Sequence, residues 1–362
     1  MGDVIKERKY KVIVIQISYL QYGEYMDLNH LKENLINRGT PAEEVKIILE
    51  YAQNLSEIGV PVIFDIQQFR RLLRLTTKDF NSIYYSLSKQ YREIEISKRN
   101  RDEFRNLSIP SIRLKYIQRW ILDNILYKVP ISNYAMGFAP FKSISNNASP
   151  HVQKEYILKV DIKDFFPSIS SERVYGLFRS MGYCRSVSIV LTNFCTYNNK
   201  LPQGAPSSPH ISNLLCRKLD IRISILCENL GLAYTRYADD ITISGGKKIK
   251  SIISLIYSIL REEGFEPNLQ KSKVIYKSQR QTVTGITVNN KLAISKELSR
   301  NIRQEIHFMK KFGVKSHLEQ KGKQGASNTK EHFFGLAHYI YMIDKDKGVA
   351  LLTELYKIDW NS

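Results

Sequence analysis

Residues 234–244 read YTRYADDITIS, in which runs of β-branched and aromatic residues flank the pair Asp239 and Asp240. This pattern predicts a strand, a tight turn and a second strand, because aspartate favours turns and β-branched residues favour strands. Upstream, residues 156–162 read YILKVDI and predict another strand, with Asp161 near its end. A carboxylate in an apolar strand is costly unless its charge is compensated. Carboxylates at a strand end and at a neighbouring hairpin tip can converge on a metal ion; the alternative is that Asp239 and Asp240 only form a turn.

The elements around these strands alternate between strand and helix. A Pro- and Gly-containing turn leads into a helix from about Ser208, and a later apolar-periodic segment predicts a helix that stops at Gly264. Strand, helix, strand–turn–strand, helix and strand over residues 156–288 form a βαββαβ order. That order predicts an α+β fold with a ferredoxin-like antiparallel sheet that carries its helices on one face.

Three further elements are predicted upstream. Residues 10–20 have the β-branched pattern of a strand. Thr40 is the predicted N-cap of a helix that has Pro41 at its first position and ends at Gly59. Residues 112–126 predict an amphipathic helix with Ile117, Trp120, Ile121 and Ile125 on one stripe and a basic face opposite.

The charge balance points to a polyanionic partner. The 362 residues include 54 Lys and Arg against 35 Asp and Glu, a net charge of +19. Residues 1–60 contain 7 basic and 9 acidic side chains, so the entire excess lies after them. This excess fits nucleic acid or an acidic membrane surface. An apolar fraction of 43% argues against wholesale disorder, and no apolar run is long enough to predict a transmembrane helix.

The cysteines and the amino-terminal residues indicate a cytoplasmic protein. No signal peptide is predicted. The four cysteines lack the spacing of a zinc site or a disulfide framework and are expected to be buried free thiols in a reducing cytosol. They are Cys184, Cys195, Cys216 and Cys227.

Six ordered motifs between about residues 59 and 345 resemble those of reverse transcriptases. DIKDFF at 161–166, LPQGAPSSP at 201–209 and YADD at 237–240 resemble the palm motifs. The segment 109–120 resembles the fingers helix of bacterial members, the residues from Gly264 to Lys271 a further palm motif, and RQTVTG at 280–285 the primer grip. NASPH at 147–151 and Val-Thr-Gly at 283–285 fit the Asn-Ala-x-x-His and Val-Thr-Gly motifs of retron reverse transcriptases.

The resemblance implies a right-hand polymerase. Residues 59–155 would form the fingers with the early palm, 156–290 the palm and 291–362 a helical thumb, after an extension of unassigned role at 1–58. This extension could dock an effector, contact RNA or pack against the fingers. The implied reaction is addition of deoxynucleotides (dNTPs) to a primer on an RNA template, with two Mg²⁺ ions or Mn²⁺ in their place.

Retron membership further implies specific partners. A structured non-coding RNA would serve as template and primer, and the product would be a branched, RNA-linked single-stranded DNA (msDNA). A separate effector protein and a role in defence against phage are also implied, with no membrane partner. Two alternatives remain open: another bacterial reverse transcriptase, of the intron, diversity-generating or abortive-infection type, or a catalytically inactive RNA-binding scaffold.

The same resemblance assigns the catalytic and nucleotide-binding residues. Asp161 and Asp239 would bridge the metals, with Asp240 in support. Ile162 would present its main chain to the second metal and the nucleotide. Phe166 would be the steric gate that excludes a ribose 2′-OH; alternatively, Phe165 and Phe166 are both core aromatics, although strand alternation favours only one. The remaining nucleotide-binding residues would be Gln203, Gly204, Lys271, Arg105 and Lys98.

Some of these assignments have structural alternatives. Gln203 and Gly204 can belong to a plain Pro-Gly turn, and Lys271 can be a solvated surface lysine. The expected Gly-containing turn near Lys98 and Arg105 is replaced by Arg-Asn-Arg-Asp-Glu at 99–103.

RNA binding is assigned to the two retron motifs and to the basic stretch 296–330, which has 9 basic and 3 acidic residues. The residues are Asn147, His151, Val283, Thr284, Gly285, Arg300, Arg303, Lys310 and Lys311. His151 can instead be a structural histidine, and the segment 283–285 can simply shape a bulge.

Overall fold

The computed structural model describes residues 27–97, 104–320 and 328–360. The predicted strand at 10–20, Lys98 and the turn at 99–103 lie outside them. The helices are α1 Leu28–Asn37, α2 Ala42–Ile58, α3 Ile66–Leu72, α4 Thr77–Tyr84, α5 Ile112–Asn124, α6 Ile144–Ala148, α7 Ser171–Ser180, α8 Arg185–Cys195, α9 Ser208–Leu215, α10 Arg217–Asn229, α11 Ile253–Glu262, α12 Lys296–Phe312, α13 Val314–Gln320, α14 Thr329–Ile343 and α15 Lys345–Tyr356. The strands are β1 Tyr91–Ser97, β2 Phe104–Pro110, β3 Tyr156–Ile162, β4 Ala233–Tyr237, β5 Asp240–Gly245, β6 Pro267–Tyr276, β7 Thr282–Val283 and β8 Ile286–Thr287.

The chain divides into two compact units. The first contains residues up to 132 and residues 163–219, and the second contains residues 133–162 and those from 220 onward. The first unit is mainly helical and includes the antiparallel pair β1–β2. Its core contains an aromatic cluster in which Phe69, Phe80 and Phe194 pack edge-on or tilted against one another.

Within the first unit, the described part of the predicted extension packs against the core. Helix α2 buries Val45, Ile48, Ala52 and Leu55, which recur at helical spacing. The Tyr51 hydroxyl donates to the carbonyl of Ile63 at 2.6 Å. The helix ends at Gly59 as predicted, but its N-cap is Pro41, whose ψ of 140° is not helical. The prediction of Thr40 as N-cap is therefore wrong by one residue.

The predicted amphipathic helix is α5. The Ser111 hydroxyl accepts from the N–H of Leu114 and caps its first turn. Ile117, Ile121 and Ile125 are fully buried as predicted. Gln118 is also buried, and its amide donates to the carbonyl of Phe194 at 2.8 Å.

The second unit contains the predicted sheet. Its strands lie in the order β4-β5-β3-β6, and all neighbours are antiparallel. This is the ferredoxin-like arrangement expected from the βαββαβ order. The strands β3 and β5 are largely buried because they lie inside the sheet. Residues 282–287, at the end of the predicted region, form a separate short hairpin, β7–β8.

The carboxy-terminal helices of this unit share a separate core. Ile302, Ile306 and Met309 of α12 recur at i, i+4 and i+7 and are buried with residues of α14 and α15. The basic residues of α12 lie outside this apolar stripe and are exposed. Among the residues that the structure describes, no helix is long and apolar enough to cross a membrane.

Candidate active site

The turn that carries the aspartate pair lies between β4 and β5. Tyr237 pairs with Asp240, so Ala238 and Asp239 form a two-residue turn. Ala238 has a φ of 56°, a left-handed conformation that alanine rarely adopts. The carbonyl of Asp239 accepts a hydrogen bond from the N–H of Ile162 at 3.1 Å. The turn is thereby fixed to the end of β3, where Asp161 lies.

Asp161 and Asp240 are direct cross-strand neighbours. They pair in the register of β3 and β5, and both are half-buried. Asn268 of β6 pairs with Asp161 and donates from Nδ2 to its Oδ2 at 3.0 Å. Like charges placed opposite each other in a sheet repel, so this pairing stabilises the sheet only if something compensates.

The electrostatics of Asp240 reflect this crowding. Burial raises the pKa of its carboxyl group, and the neighbouring Asp161 raises it further. Lys159, Lys271 and Lys273 act in the opposite direction. Lys271, which was predicted to face the triphosphate, is therefore close enough to influence the Asp240 carboxylate, although its side chain is exposed.

The candidate metal ligands fit a divalent cation in chemistry and charge. Carboxylate oxygens suit Mg²⁺, and a cation between Asp161 and Asp240 would relieve their repulsion. The side chain of Ile162 is buried, and the residue opposite it in β6 is Pro267, which has no N–H to donate to its carbonyl. Over the described ranges, however, no group of three or more His, Cys, Asp or Glu side chains is arranged to hold a metal ion.

A buried ion pair that was not predicted from the sequence stabilises the turn through a hydrogen bond to its backbone. Arg236 and Asp220 are both fully buried and form a bidentate pair, with Nε–Oδ1 at 2.7 Å and Nη2–Oδ2 at 2.8 Å. The Tyr234 hydroxyl also donates to Asp220. The third guanidinium nitrogen, Nη1, donates to the carbonyl of Ala238 at 3.1 Å. The sequence places Asp220 inside the run LDIRI and Arg236 inside the run YTRY, and charged residues in such strand- and helix-forming runs were the signal from which a buried ion pair could have been predicted.

The two retron motifs are joined within the second unit. Asn147 Nδ2 donates to the Thr284 hydroxyl at 3.4 Å. His151 is fully buried between Ser244, at 2.6 Å from Nδ1, and Thr235, at 2.8 Å from Nε2. Burial lowers the pKa of His151 to about 3, with Lys154 and Lys159 adding to the effect.

These positions limit how the two motifs can act on RNA. The side chains of Asn147, His151 and Val283 are buried, so in this conformation they have no surface for a direct RNA contact. For His151 the structural alternative agrees with this burial. Thr284 and Gly285 have φ values of 45° and 86° and form the turn of the β7–β8 hairpin. The segment is therefore a two-residue hairpin turn with positive φ at both positions, and the alternative of a bulge is wrong.

The predicted nucleotide-binding residues Phe166, Gln203, Gly204 and Arg105 lie in the first unit. Phe166 is half-buried, while Phe165 is 4% exposed and belongs to the core. The expected division into one core ring and one accessible ring is present. The strand ends at Ile162, however, so the division comes from a turn at 163–168 rather than from strand alternation.

Gln203 and Gly204 lie against the β1–β2 hairpin. The carbonyl of Gln203 accepts from the N–H of Ser108 at 2.8 Å. Gly204 has a φ of 128°, and a Cβ there would lie 2.8 Å from the Ser108 carbonyl oxygen. Only glycine fits this approach. Arg105 is exposed on β2, opposite Ile96.

The predicted thumb cations lie on α12. Arg300, Arg303, Lys310 and Lys311 are exposed. Three of them, with His307 and Glu354, line a cleft of about 280 Å³. Lys310 forms an ion pair with Glu354 at 2.6 Å, and Lys310 and Lys357 lower the pKa of Glu354 to about 2.

The prediction of buried free thiols is confirmed for three of the four cysteines and is wrong for the burial of Cys184. All four are free thiols, and Cys195, Cys216 and Cys227 are buried, whereas Cys184 is half-buried.

Comparison with known proteins identifies the family. The sequence pattern of the family described as reverse transcriptase (RNA-dependent DNA polymerase) matches residues 96–288, just over half of the chain. The retron Ec86 reverse transcriptase of Escherichia coli is 35% identical over 309 residues, which cover 84% of this chain and 92% of that protein. The retron Mx162 reverse transcriptase of Myxococcus xanthus is 35% identical over 291 residues, which cover 70% of this chain and 58% of that protein.

Among solved structures, a telomerase from Candida albicans in complex with a fragment of telomeric RNA matches at a TM-score of 0.39 and 12% identity, covering 80% of this chain and 61% of that chain. The family match and the curated relatives agree with the motifs and carry the assignment. The chain belongs to the retron reverse transcriptases, which are RNA-directed DNA polymerases.

Proposed function

We propose that Asp161, Asp239 and Asp240 hold the divalent metal ions of DNA synthesis, with Mg²⁺ as the natural ion and Mn²⁺ as a substitute. The observation that carries this proposal is the cross-strand pair of Asp161 and Asp240 beside the Asp239 turn. Burial and mutual repulsion raise the pKa of Asp240, and both costs fall when a cation binds. Bound metal ions would stabilise the attacking and leaving oxygens of phosphoryl transfer.

The residues around the carboxylates have positioning roles. Asn268 orients Asp161 through its hydrogen bond to Oδ2. Ile162 fixes the turn through its N–H and would present its carbonyl to the second metal and the nucleotide. Lys271 would face the triphosphate, because its charge already acts on the Asp240 carboxylate.

Selection of deoxynucleotides is proposed for residues of the first unit. Phe166 would exclude the 2′-OH, which agrees with its half-buried ring. Gln203 and Gly204 would line the nucleotide pocket, and Arg105 with Lys98 would hold the triphosphate. The fixed backbone of Gly204 against Ser108 supports a preorganised pocket wall.

The hand-like division is part of the same proposal. Residues 59–155 would act as fingers with the early palm, 156–290 as palm and 291–362 as thumb, with the exposed cations of α12 gripping RNA phosphates. Asn147, His151 and Val283 would act indirectly, by fixing the surface that Thr284 and Gly285 present.

The biological product is proposed from the family. A structured non-coding RNA would be template and primer, msDNA would be the product, and an effector protein would complete an antiphage system. Sequencing the nucleic acid that copurifies with the chain tests this directly. A branched RNA–DNA molecule from one locus is the expected result, whereas a mixture of unrelated RNAs would contradict it.

Catalysis is tested by primer extension on an RNA template with Mg²⁺ and dNTPs. Asp239→Ala should abolish extension, while Asp123→Ala, at an exposed position on α5, should leave it intact. Phe166→Ala should admit ribonucleotides. Normal extension by Asp239→Ala would exclude the metal role, and unchanged sugar discrimination by Phe166→Ala would exclude the gate.

A further inference from the structure

A short loop of the second unit lies beside the aspartate turn. Residues 137–142 read GFAPFK. Just before them, the N–H of Met136 donates to the carbonyl of Arg236 at 2.7 Å. Gly137 lies so close to the turn that an added Cβ would be 3.0 Å from both the Ala238 nitrogen and the Tyr237 ring. The loop therefore runs along the two residues that precede Asp239.

The base of this loop is closed. The Lys142 ammonium donates to the carbonyls of Asn133, at 2.7 Å, and Ala135, at 3.0 Å. Directly after it, Ser143 and Asn146 form a reciprocal capping box at the start of α6. Because both ends are anchored, the loop presents its tip from a fixed base.

The tip displays two phenylalanines in an unusual conformation. Phe138 and Phe141 have φ values of 56° and 61°. Bulky side chains seldom occupy this left-handed region, and such backbone strain is concentrated at functional sites. The Phe141 side chain is fully exposed, and that of Phe138 is 48% exposed with its ring 6.0 Å from the Tyr237 ring. Neither exposure nor strain serves core packing.

We propose that Phe138 and Phe141 form a stacking platform for an unpaired base of the RNA strand that the enzyme copies. Exposed aromatic rings stack any base through its π-face, which suits a polymerase because each of the four bases of its template strand passes the site in turn. The net charge of +19 favours the accompanying phosphates. The inference rests on the proposed catalytic role of the neighbouring aspartates, because that role brings the RNA strand to this turn.

Binding of hybrids to the full chain tests the platform. Fluorescence anisotropy in EDTA would compare a DNA primer annealed to RNA with an unpaired 5′ template overhang against a blunt hybrid of the same duplex length. Phe141→Ala should weaken binding of the overhang hybrid about tenfold and leave the blunt hybrid unchanged. Tyr85→Ala, at a side chain that is 80% exposed in the first unit, is the matched control and should change neither.

Two conservative variants separate stacking from apolar docking. Phe141→Leu should lose affinity as Phe141→Ala does, because it keeps apolar bulk without a π-face. Phe141→Trp should retain affinity, and its fluorescence should be quenched by the overhang hybrid alone. Because Phe141 is exposed, these variants should melt as wild type does.

Three results would overturn the platform: retained affinity in Phe141→Leu, equal losses for overhang and blunt hybrids, or no loss in any variant. Retained affinity in Phe141→Leu would instead indicate an apolar protein-docking site. Binding in EDTA needs no catalysis, so failure of the aspartate assignment appears only in the extension assay. The two proposals can therefore fail separately.

Discussion

The environment of His151 yields a quantitative prediction about stability. Its ring nitrogens lie 2.6 Å from Ser244 Oγ and 2.8 Å from Thr235 Oγ1, and the side chain is fully buried. Thr235 also donates to the carbonyl of Asn147 at 3.4 Å. Its hydroxyl must then accept from Nε2–H, which leaves Nδ1 to accept from Ser244. This arrangement accommodates a neutral ring, and a second ring proton would require the Ser244 hydroxyl to change from donor to acceptor.

The sign of the pH effect follows from the lowered pKa. Burial lowers the pKa of His151 to about 3 in the folded chain, whereas the pKa of a histidine in an unfolded chain is about 6.5. The unfolded state therefore binds an extra proton below that higher value, and the folded state does not. Above about pH 6.5, His151 leaves the free energy of unfolding independent of pH. Below that value, the free energy of unfolding falls by about 1.4 kcal/mol per pH unit until the folded group titrates. At about pH 5 the loss is about 2 kcal/mol.

His151→Gln isolates this effect, because the amide keeps one donor and one acceptor but does not titrate. At neutral pH the variant should be destabilised by about 1–3 kcal/mol through imperfect hydrogen bonds. That difference should shrink by about 2 kcal/mol at about pH 5. Urea unfolding in a Trp120→Phe background, with Trp360 of the second unit as the fluorescent reporter, measures both values.

The control is His332→Gln, at an exposed position, which should change the free energy of unfolding by under about 0.5 kcal/mol at neutral pH. A destabilisation by His151→Gln that stays constant with pH would refute the buried neutral ring. Normal stability combined with lost RNA affinity would replace the structural role with a direct RNA contact.

Three further substitutions test the site. Asp240→Asn should raise the melting temperature in EDTA by about 2 °C, because it removes about 0.2–1 kcal/mol of repulsion with Asp161; a lower melting temperature would contradict this. Gly204→Ala should destabilise the chain by about 1–3 kcal/mol and raise the KM for dNTPs, since its Cβ would lie 2.8 Å from the Ser108 carbonyl oxygen. The control is Gly176→Ala in helix α7, where an added Cβ would meet nothing within 4 Å, so this variant should be neutral or stabilising. Equal urea midpoints for the two glycine variants would argue against the close approach of Gly204 to Ser108. Asp220→Asn should cost about 3–5 kcal/mol in urea unfolding and slow extension, because it leaves the Arg236 guanidinium buried without a counter-ion. Glu262→Gln, at the exposed partner of Arg222, should cost under about 1 kcal/mol, and a similar cost for Asp220→Asn would refute the role of the buried pair.

The sheet and its aspartates were predictable because their signals are local. Alternation in YILKVDI and YTRYADDITIS gives strand identity, and the element order restricts the topology to few choices. The register that places Asp161 opposite Asp240 follows once both strands bury their apolar residues.

Contacts between distant residues were not predictable in the same way. The pairing of Asp220 with Arg236, the bond from Asn147 to Thr284 and the approach of Gly204 to Ser108 depend on how separate elements meet. The sequence pattern around each residue does not specify which distant residue it will contact. The error at Thr40 has a different cause, because the N-cap position depends on the backbone conformation of a single residue, here Pro41.

The basic residues around the carboxylates address a difficulty that burial creates. Asp240 is half-buried opposite Asp161, and both the burial and the neighbouring charge raise the pKa of its carboxyl group, which disfavours the ionised form that binds a metal ion. Lys159, Lys271 and Lys273 lower the pKa of Asp240 and so favour the ionised form before a metal arrives. The positive charge that fits a nucleic-acid partner thus has a second, local effect in the second unit. It favours the ionised carboxylate that a cation needs, and it comes in part from Lys271 and Lys273, which are exposed.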